Sequence, residues 1–329
     1  MSIVGVAGGS GALGSLVTKA LFDSGKHQVY ILSRKAPQDG APLVRSGLTG
    51  NLYKPSIQAD YASQEQMTQL LQGYKIDTVI CTFGLDFPEQ CEAAKVLVRG
   101  ADQAGCVKRF MPSEFNVDYD LGDDVLVYPE KRLHAAVRRE LEQSSLEFTY
   151  IYTGMFMDYF GMPHVASPLA PMCVLVDGTH GIASIPGSGK TPMAASYTHD
   201  VAKYIVLALD LDAWPQQMTT ATSSITPNDL VKLYEQALSH ELQVTHSSVQ
   251  EFIQQTHVVL PGCQEVGKTF PGGLENLLKV TSTLEASIEL GAYDFGRLGD
   301  HLDLAKHFEA QVPSPMTIEK LVDMAWGKR

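Results

Sequence analysis

The chain has 329 residues, of which 44% are hydrophobic and 19% are charged. This composition is typical of a soluble globular protein large enough for one big domain or two modest ones. The formal net charge of −12 argues against nucleic acid as a main partner, because neutralising phosphates requires clustered Lys and Arg.

The sequence also bears on membrane insertion, secretion and the redox state of the cysteines. No run approaches the ~18 uninterrupted apolar residues of a membrane span, and no basic segment precedes the first apolar run as in a signal peptide. The five cysteines are odd in number and lack C-x-x-C spacing, which is typical of reduced thiols. We therefore expect a cytoplasmic protein, without a membrane partner, as a monomer or homodimer.

The first 155 residues alternate strand-like apolar runs with helical patterns, which predicts a parallel sheet with crossover helices. The strands are predicted at 2–7, 29–32, 57–60, 77–82, 107–111 and 148–152. The helices are predicted from the first strand to Gly25, from the Ser63 capping box to Gly73, at 88–104 and at 129–144. Residues 36–52 are predicted to form a loop.

After residue 155 the alternation loosens. Residues 161–197 are rich in Pro and Gly and are expected to form loops and short hairpins, followed by helices at 199–209, 226–239, 273–290, 299–309 and 317–326. The predicted fold class is α/β. A Rossmann-like doubly wound parallel sheet occupies residues 1–155, and a smaller, mixed α/β substrate-binding region occupies 156–329. Later segments of such folds often return to the sheet.

The start of the chain carries the clearest chemical signal. A β-prone run, Ile3–Ala7, leads into glycines spaced G-x-x-G-x-x-G and then into a helical pattern. Glycines permit a tight turn and a close approach of the backbone, and the helix N-terminus attracts a dinucleotide pyrophosphate. The predicted cofactor-binding residues here are Gly8, Ser10, Gly11, Ala12, Leu13 and Gly14.

The residues after the second strand distinguish the two nicotinamide cofactors. An acidic residue there binds the ribose hydroxyls of NADH, whereas basic residues bind the 2′-phosphate of NADPH. Here Ser33 is followed by Arg34 and Lys35, with no acid before Asp39. A guanidinium fork suits phosphate, so we expect NADPH.

Further candidates follow the carboxyl ends of later strands, where doubly wound sheets bind ligands. Thr82, Phe83, Gly84 and Ser113 are predicted to line the cofactor, and Glu114, Phe115, Met155, Phe156, Tyr159 and Phe160 to contribute to a substrate pocket. For Glu114 two interpretations stay open, a proton donor or a carboxylate satisfied by backbone N–H groups. The ten histidines show no metal-binding spacing, so no metal is expected.

Several segments resemble one known family. Arg109–Phe115 reads R-F-M-P-S-E-F, which is similar to the R-F-x-P-S-E-F signature of the isoflavone reductase-like group within the NmrA-like, atypical short-chain dehydrogenase superfamily. Residues 150–159, 187–190, 198–202 and 226–230 carry further similarity. The resemblance extends over roughly residues 1–235 and leaves the remainder of the chain unassigned.

This resemblance implies an NADPH-dependent reductase of a small specialised metabolite. The family's catalytic lysine lies at the start of the helix after the P-S-E-F segment, and Lys131 occupies the matching place as the predicted general acid or orienting group. Tyr128 precedes Lys131 by three residues rather than four, so no catalytic tyrosine is assumed. The reducible bond stays open among C=C, C=N, C=O and benzylic C–O. A dinucleotide-sensing regulator without turnover is the alternative.

Overall fold

The structure is a computed structural model that describes residues 1–37, 40 and 42–327. Asp39, the first acidic residue after the second strand, lies outside the described residues, as does the end of the predicted substrate-binding region at 328–329. The strands of the first half are β1 (Ile3–Ala7), β2 (Gln28–Ser33), β3 (Val44–Arg45), β4 (Leu52–Tyr53), β5 (Ser56–Gln58), β6 (Thr78–Cys81), β7 (Arg109–Met111), β8 (Glu147–Phe148) and β9 (Tyr150–Tyr152). Those of the second half are β10 (Met155–Phe156), β11 (Val176–Asp177), β12 (Ile182–Pro186), β13 (Met193–Ser196), β14 (Gln217–Thr219), β15 (Ser223–Ile225), β16 (Gln243–Ser247) and β17 (Leu302–Asp303).

The helices follow the predicted pattern closely in the first half. They are α1 (Ala12–Ser24), α2 (Gln64–Gly73), α3 (Pro88–Ala104), α4 (Lys131–Glu142), α5 (Asp158–Gly161), α6 (Thr198–Ala208), α7 (Pro227–Leu238), α8 (Val249–Ile253), α9 (Gly262–Gly267), α10 (Gly273–Leu290), α11 (Leu304–His307) and α12 (Ile318–Trp326). Gly25 ends α1 with φ of +61°, and the Ser63 side chain accepts a hydrogen bond from the backbone N–H of Gln66 at the start of α2. Both signals were read correctly from the sequence.

A six-stranded parallel sheet forms the centre of the fold, in the order β5-β2-β1-β6-β7-β8. Strand β1 pairs with β2 on one side and β6 on the other, with Ala7 opposite both Leu32 and Cys81. The chain therefore reverses its direction of winding between β1 and β6, where doubly wound sheets bind ligands. The predicted α/β fold class is confirmed.

The predicted sixth strand at 148–152 is wrong in one respect. Its residues form two strands, because the chain leaves the central sheet at Thr149, whose side chain is fully buried. Strand β8 pairs with β7, whereas β9 pairs with β14, and β14 pairs with β17. The apolar run at 148–152 cannot reveal such a change of partner, because its residues are β-prone on both sides of Thr149, although β8 is half-buried and β9 is buried.

Later segments pack against the first half of the chain. Tyr204 and Ile205 of α6 share a buried cluster with Val17 and Leu21 of α1. The predicted helix at 299–309 shrinks to α11, because Leu302 and Asp303 pair with β14 instead. The predicted loop at 36–52 contains β3 and the first residue of β4, which pair as an antiparallel hairpin. The division of the chain at residue 155 stays a prediction.

Candidate cofactor crevice and substrate cavity

Two cavities meet at the carboxyl edge of β1 and β6. The first, the glycine-loop crevice, has a volume of about 570 Å³ and is lined by Gly8, Ser10, Gly11, Ala12, Leu32, Ser33, Arg34, Lys35, Tyr61, Thr82, Phe83, Gly84, Glu89, Gln90 and Ala93. The second, the aromatic cavity, has a volume of about 350 Å³. Ala12, Thr82 and Gly84 line both, so the two spaces are neighbours.

The glycines of the loop serve two different purposes. Gly8 has φ of +78°, and a Cβ atom there would lie 2.8 Å from the backbone nitrogen of Phe83, so only glycine suits this turn. A Cβ atom on Gly14 would lie 2.1 Å from the carbonyl oxygen of Gly8. Gly14 therefore permits close packing of α1 on the loop, and it does not line the crevice as a predicted cofactor contact would.

Helix α1 begins at the crevice with a free N-terminus. Its N-cap residue is Gly11, no side chain within the described part of the chain caps it, and its first turn contains no acidic residue. The first N–H groups of a helix lack partners within it and carry the positive end of its dipole. This end of α1 therefore has the donors and the charge that suit a phosphate group.

Basic and aromatic side chains form the other end of the crevice. Arg34 and Lys35 follow β2 and are exposed along its wall, as the cofactor prediction requires. Tyr61, which sequence reasoning missed, donates its hydroxyl to the carbonyl of Leu32 at 2.9 Å and packs edge-on against Phe83. Burial raises the pKa of Tyr61. Tyr61 and Phe83 therefore give the crevice a flat apolar wall.

The aromatic cavity combines segments that lie far apart in the sequence. It is lined by Ala12, Leu13, Thr82, Gly84, Leu85, Asp86, Ser113, Phe115, Asn116, Tyr119, Tyr128, His134, Gly154, Met155, Phe156, Tyr159, Leu169, Met172, Val280, Leu284 and Tyr293. The predicted substrate residues Phe115, Met155, Phe156 and Tyr159 are brought together here. Leu13 and Ser113, predicted as cofactor contacts, line this cavity and not the crevice. The last three lining residues come from the part of the chain that sequence reasoning left unassigned.

Two predicted pocket residues lie elsewhere. Phe160 is 1% exposed and packs in the core, where its carbonyl accepts a hydrogen bond from the indole N–H of Trp326 at 2.8 Å. Glu114 is fully buried and accepts a hydrogen bond from Arg138 Nε at 2.9 Å. The structure gives one carboxylate oxygen of Glu114 an arginine partner and not the backbone N–H groups of the second interpretation, and the other oxygen has no hydrogen-bond partner among the described residues.

Lys131 is not brought to either cavity. Its ammonium group donates to the carbonyl of Leu121 at 2.6 Å and lies 2.7 Å from the Asp123 carboxylate. It lines a separate depression formed by 123–132. The hydrogen bond and charge of Lys131 hold the pKa of Asp123 below its usual range. The predicted general acid thus faces the loop before α4, since it is the first residue of that helix and the loop folds over it.

The residue of α4 that does reach the aromatic cavity is His134. It lies one turn beyond Lys131, and its ring stacks on Tyr119 with centroids 3.7 Å apart. Sequence reasoning missed it, although one signal was available. His134, Val137, Arg138 and Leu141 are the buried residues of α4 and follow the i, i+3, i+4, i+7 spacing of a buried helix face. A histidine and an arginine on such a face require partners or a function.

Other classes of site receive no support from the described residues. No group of three His, Cys, Asp or Glu side chains among them is placed to hold a metal ion. None of the helices within 1–37, 40 and 42–327 combines the length and the apolar character needed to cross a membrane.

Known proteins share this architecture. The oxidoreductase swnN of Metarhizium robertsii is 27% identical over 277 residues, which cover 76% of this chain and 77% of that protein. The oxidoreductase BOA1 of Botryotinia fuckeliana is 34% identical over 212 residues, which cover 64% and 67%. The binary complex of leucoanthocyanidin reductase with NADPH from Vitis vinifera has a TM-score of 0.71 at 20% identity, covering 97% of this chain and 98% of that one. That structure shows the same fold.

A family model also matches most of the chain. The model of the NmrA-like family matches residues 1–270, which include the glycine loop, both cavities' strand ends and most of the later half. The chain belongs to the NmrA-like family.

Proposed function

We propose that this protein is an NADPH-dependent reductase of a small specialised metabolite, transferring hydride to a C=C, C=N or C=O bond. The observation that carries the proposal is that Ala12, Thr82 and Gly84 line both the glycine-loop crevice and the aromatic cavity, which are therefore neighbours. A dinucleotide in the crevice and an organic molecule in the cavity would meet at this point. The relatives named as oxidoreductases and the NADPH complex of the related fold support the same activity.

The crevice fits the proposed cofactor. A Cβ atom on Gly11 would have only the Gly8 carbonyl oxygen within 4 Å, so the space beside this backbone is open for a phosphate. We assign pyrophosphate binding to Gly8, Ser10, Gly11 and the first turn of α1, and binding of the 2′-phosphate to Arg34 and Lys35. When bound, the reduced nicotinamide supplies a hydride.

The aromatic cavity favours a small apolar or aromatic substrate. Its described lining contains six aromatic side chains besides His134 and has neither lysine nor arginine. Aromatic walls bind flat rings by offset and edge-on contacts. A strongly anionic substrate would find no lysine or arginine among the described lining residues and would lose its hydration on entry.

The direct test is NADPH binding followed by turnover. We expect the purified chain to bind NADPH more tightly than NADH, and to oxidise NADPH when supplied with members of a panel that contains chalcone, acetophenone and methylpyrroline. Tight NADPH binding without turnover on a broad panel of enones, ketones and imines would favour the regulator instead. Absence of NADPH binding would exclude both functions.

The Arg34→Ser variant is expected to bind NADPH about tenfold more weakly, because a charge-assisted hydrogen bond to phosphate is lost. NADH affinity should change little, since NADH lacks the 2′-phosphate. Fluorescence titration with both dinucleotides measures this change of selectivity. Arg45→Ser is the matched control, because Arg45 is exposed and donates to the carbonyl of Gly50 outside the crevice. An equal loss of affinity for NADPH and NADH would show that Arg34 does not recognise the 2′-phosphate.

The Lys131→Ala variant is expected to keep its turnover within about fivefold of wild type. Its ammonium group holds a loop carbonyl and an exposed carboxylate and lines neither the crevice nor the aromatic cavity, so it contacts no group that takes part in the proposed reaction. Steady-state kinetics and NADPH titration check this expectation. A loss of about a hundredfold in kcat with intact NADPH binding would instead show that Lys131 acts as the general acid.

A further inference from the structure

Next to the aromatic cavity, which His134 lines, two buried polar atoms face each other without a partner. His134 is 5% exposed and Glu114 is fully buried. The Nδ1 atom of His134 and the Oε1 atom of Glu114 are 3.7 Å apart, and neither accepts or donates a hydrogen bond within the described part of the chain. Such unpaired buried groups are rare in native proteins and are costly unless they have a function.

A proton on Nδ1 would make these two atoms donor and acceptor. The distance would then need to shorten by about 0.5 Å to reach hydrogen-bonding range, a change that is common when ligand binds at catalytic sites. The other oxygen of Glu114 is held by Arg138, and the His134 ring is held flat against Tyr119. The carboxylate and the ring plane are therefore both fixed. Nε2 makes no hydrogen bond to a described residue and, unlike Nδ1, is not one of the buried unpaired atoms of this cavity-lining residue.

The remaining titratable groups of the cavity are poorer proton donors. They are Tyr119, Tyr128, Tyr159, Tyr293 and Asp86. Burial raises the pKa of all four tyrosine hydroxyls above the ordinary value, so these groups hold their protons too tightly at neutral pH. The Asp86 carboxylate accepts a hydrogen bond from the Tyr128 hydroxyl at 3.0 Å and acts as an acceptor.

We propose that His134 is a catalytic residue that protonates the substrate, with Glu114 as its positioning residue. This inference rests on the proposed reductase function. For a ketone, the carbonyl carbon gains the hydride of the dihydronicotinamide, which is oxidised. The oxygen takes the proton from Nε2 of the imidazolium as the N–H bond breaks and an O–H bond forms. For an enone, the hydride adds to the β-carbon, and the enolate that results takes the proton from Nε2 and becomes the saturated ketone. His134 is left neutral and regains a proton from water, while Glu114 accepts the Nδ1–H hydrogen bond and keeps the ring in one tautomer.

The test compares His134→Ala and His134→Gln with wild type, using whichever of chalcone or acetophenone the wild type reduces. We expect kcat to fall about a hundredfold in both variants, with NADPH affinity unchanged, as for other general acids. The wild-type kcat should decline as pH rises past one ionisation, and this decline should be absent from His134→Gln. His240→Ala, which removes an exposed histidine outside both cavities, is the control.

Chemical rescue separates a proton donor from a packing residue. Removing the imidazole ring leaves a hole beside Tyr119 that free imidazole fits. We expect imidazole to bind the cofactor-free His134→Ala protein by calorimetry, and to restore part of its kcat in proportion to the imidazolium concentration.

The outcomes distinguish the two proposals. An active wild type whose kcat is unchanged in His134→Ala, or is lost without rescue by bound imidazole, would overturn the role of His134 alone. A wild type that binds no NADPH, or that turns over no member of the panel, would overturn the reductase function and this inference with it.

Discussion

The Arg138→Met variant is expected to be about 3–5 kcal/mol less stable than wild type, as measured by urea unfolding at pH 7. Arg138 is 1% exposed and is the cation beside the fully buried Glu114. It also lies 2.5 Å from Asp118, and its guanidinium group stacks over the ring of Tyr150 at 4.3 Å. Removing it leaves a buried carboxylate without a counter-charge, which is far more costly than losing an exposed ion pair.

The pKa of Arg138 follows the same balance. Burial lowers the pKa of Arg138, but the charge and the hydrogen bond of Glu114 together raise it by more than burial lowers it. The pKa therefore lies above its ordinary value, and the guanidinium stays charged. The double variant Arg138→Met/Glu114→Gln removes both charges and should recover about 1–3 kcal/mol of the loss. Arg139→Met is the control on the same helix, because Arg139 is 52% exposed. The Arg139→Met variant should lose no more than about 1 kcal/mol of stability. Equal losses in the two single variants would show that burial of Glu114 is not what Arg138 compensates.

Local signals explain why the cofactor side could be predicted. The turn at Gly8, the start of α1 and the basic residues after β2 depend on neighbours in the sequence, so the motif and its geometry coincide. The central sheet follows from alternating strand and helix periods for the same reason. Gly14 is the exception, because it lines neither cavity and instead packs against Gly8 and Thr82, which a Cβ atom on Gly14 would approach to 2.1 and 2.5 Å.

The substrate side required information that the sequence does not contain. The aromatic cavity joins the start of α1, the segment after β7, helix α4, helix α10 and Tyr293, and its first and last lining residues, Ala12 and Tyr293, are 281 positions apart in the chain. No period or spacing indicates that Tyr293 faces Met155. Lys131 and His134 lie in one helical turn, and the fold of the loop at 118–130 over the start of α4, which the sequence does not indicate, places Lys131 against that loop and His134 at the cavity.

The Glu285→Gln variant is expected to be more stable than wild type, by about 3 kcal/mol at pH 8. Glu285 is 3% exposed in the middle of α10. One of its oxygens accepts a hydrogen bond from the backbone N–H of Leu175 at 2.7 Å, and Leu175 itself has φ of +61°. Glutamine keeps an acceptor oxygen for this turn, since its amide carbonyl replaces the carboxyl oxygen. It carries no charge that must be buried.

The raised pKa of Glu285 determines how the stability of the folded protein changes with pH. Burial raises the pKa of Glu285 to about 8, and the Leu175 hydrogen bond offsets only part of this effect. A glutamate in the unfolded chain ionises near pH 4.3. The folded protein therefore keeps a proton that the unfolded chain releases, so the stabilising contribution is complete below about pH 4.3 and is lost as pH rises towards 8.

Urea unfolding of both proteins at several pH values tests this linkage. The stability advantage of Glu285→Gln should be small near pH 5, increase through neutral pH and level off above pH 8, because ionisation is then complete in both states. Glu275→Gln is the matched control, because Glu275 lies exposed in the first turn of the same helix. The stability difference between Glu275→Gln and wild type should not grow with pH. The variant should be slightly less stable than wild type, because the negative charge of Glu275 favours the helix N-terminus. An advantage of Glu285→Gln that is the same at every pH would mean that Glu285 ionises equally in the folded and unfolded protein. Such a result would leave the Leu175 turn held by a charged carboxylate.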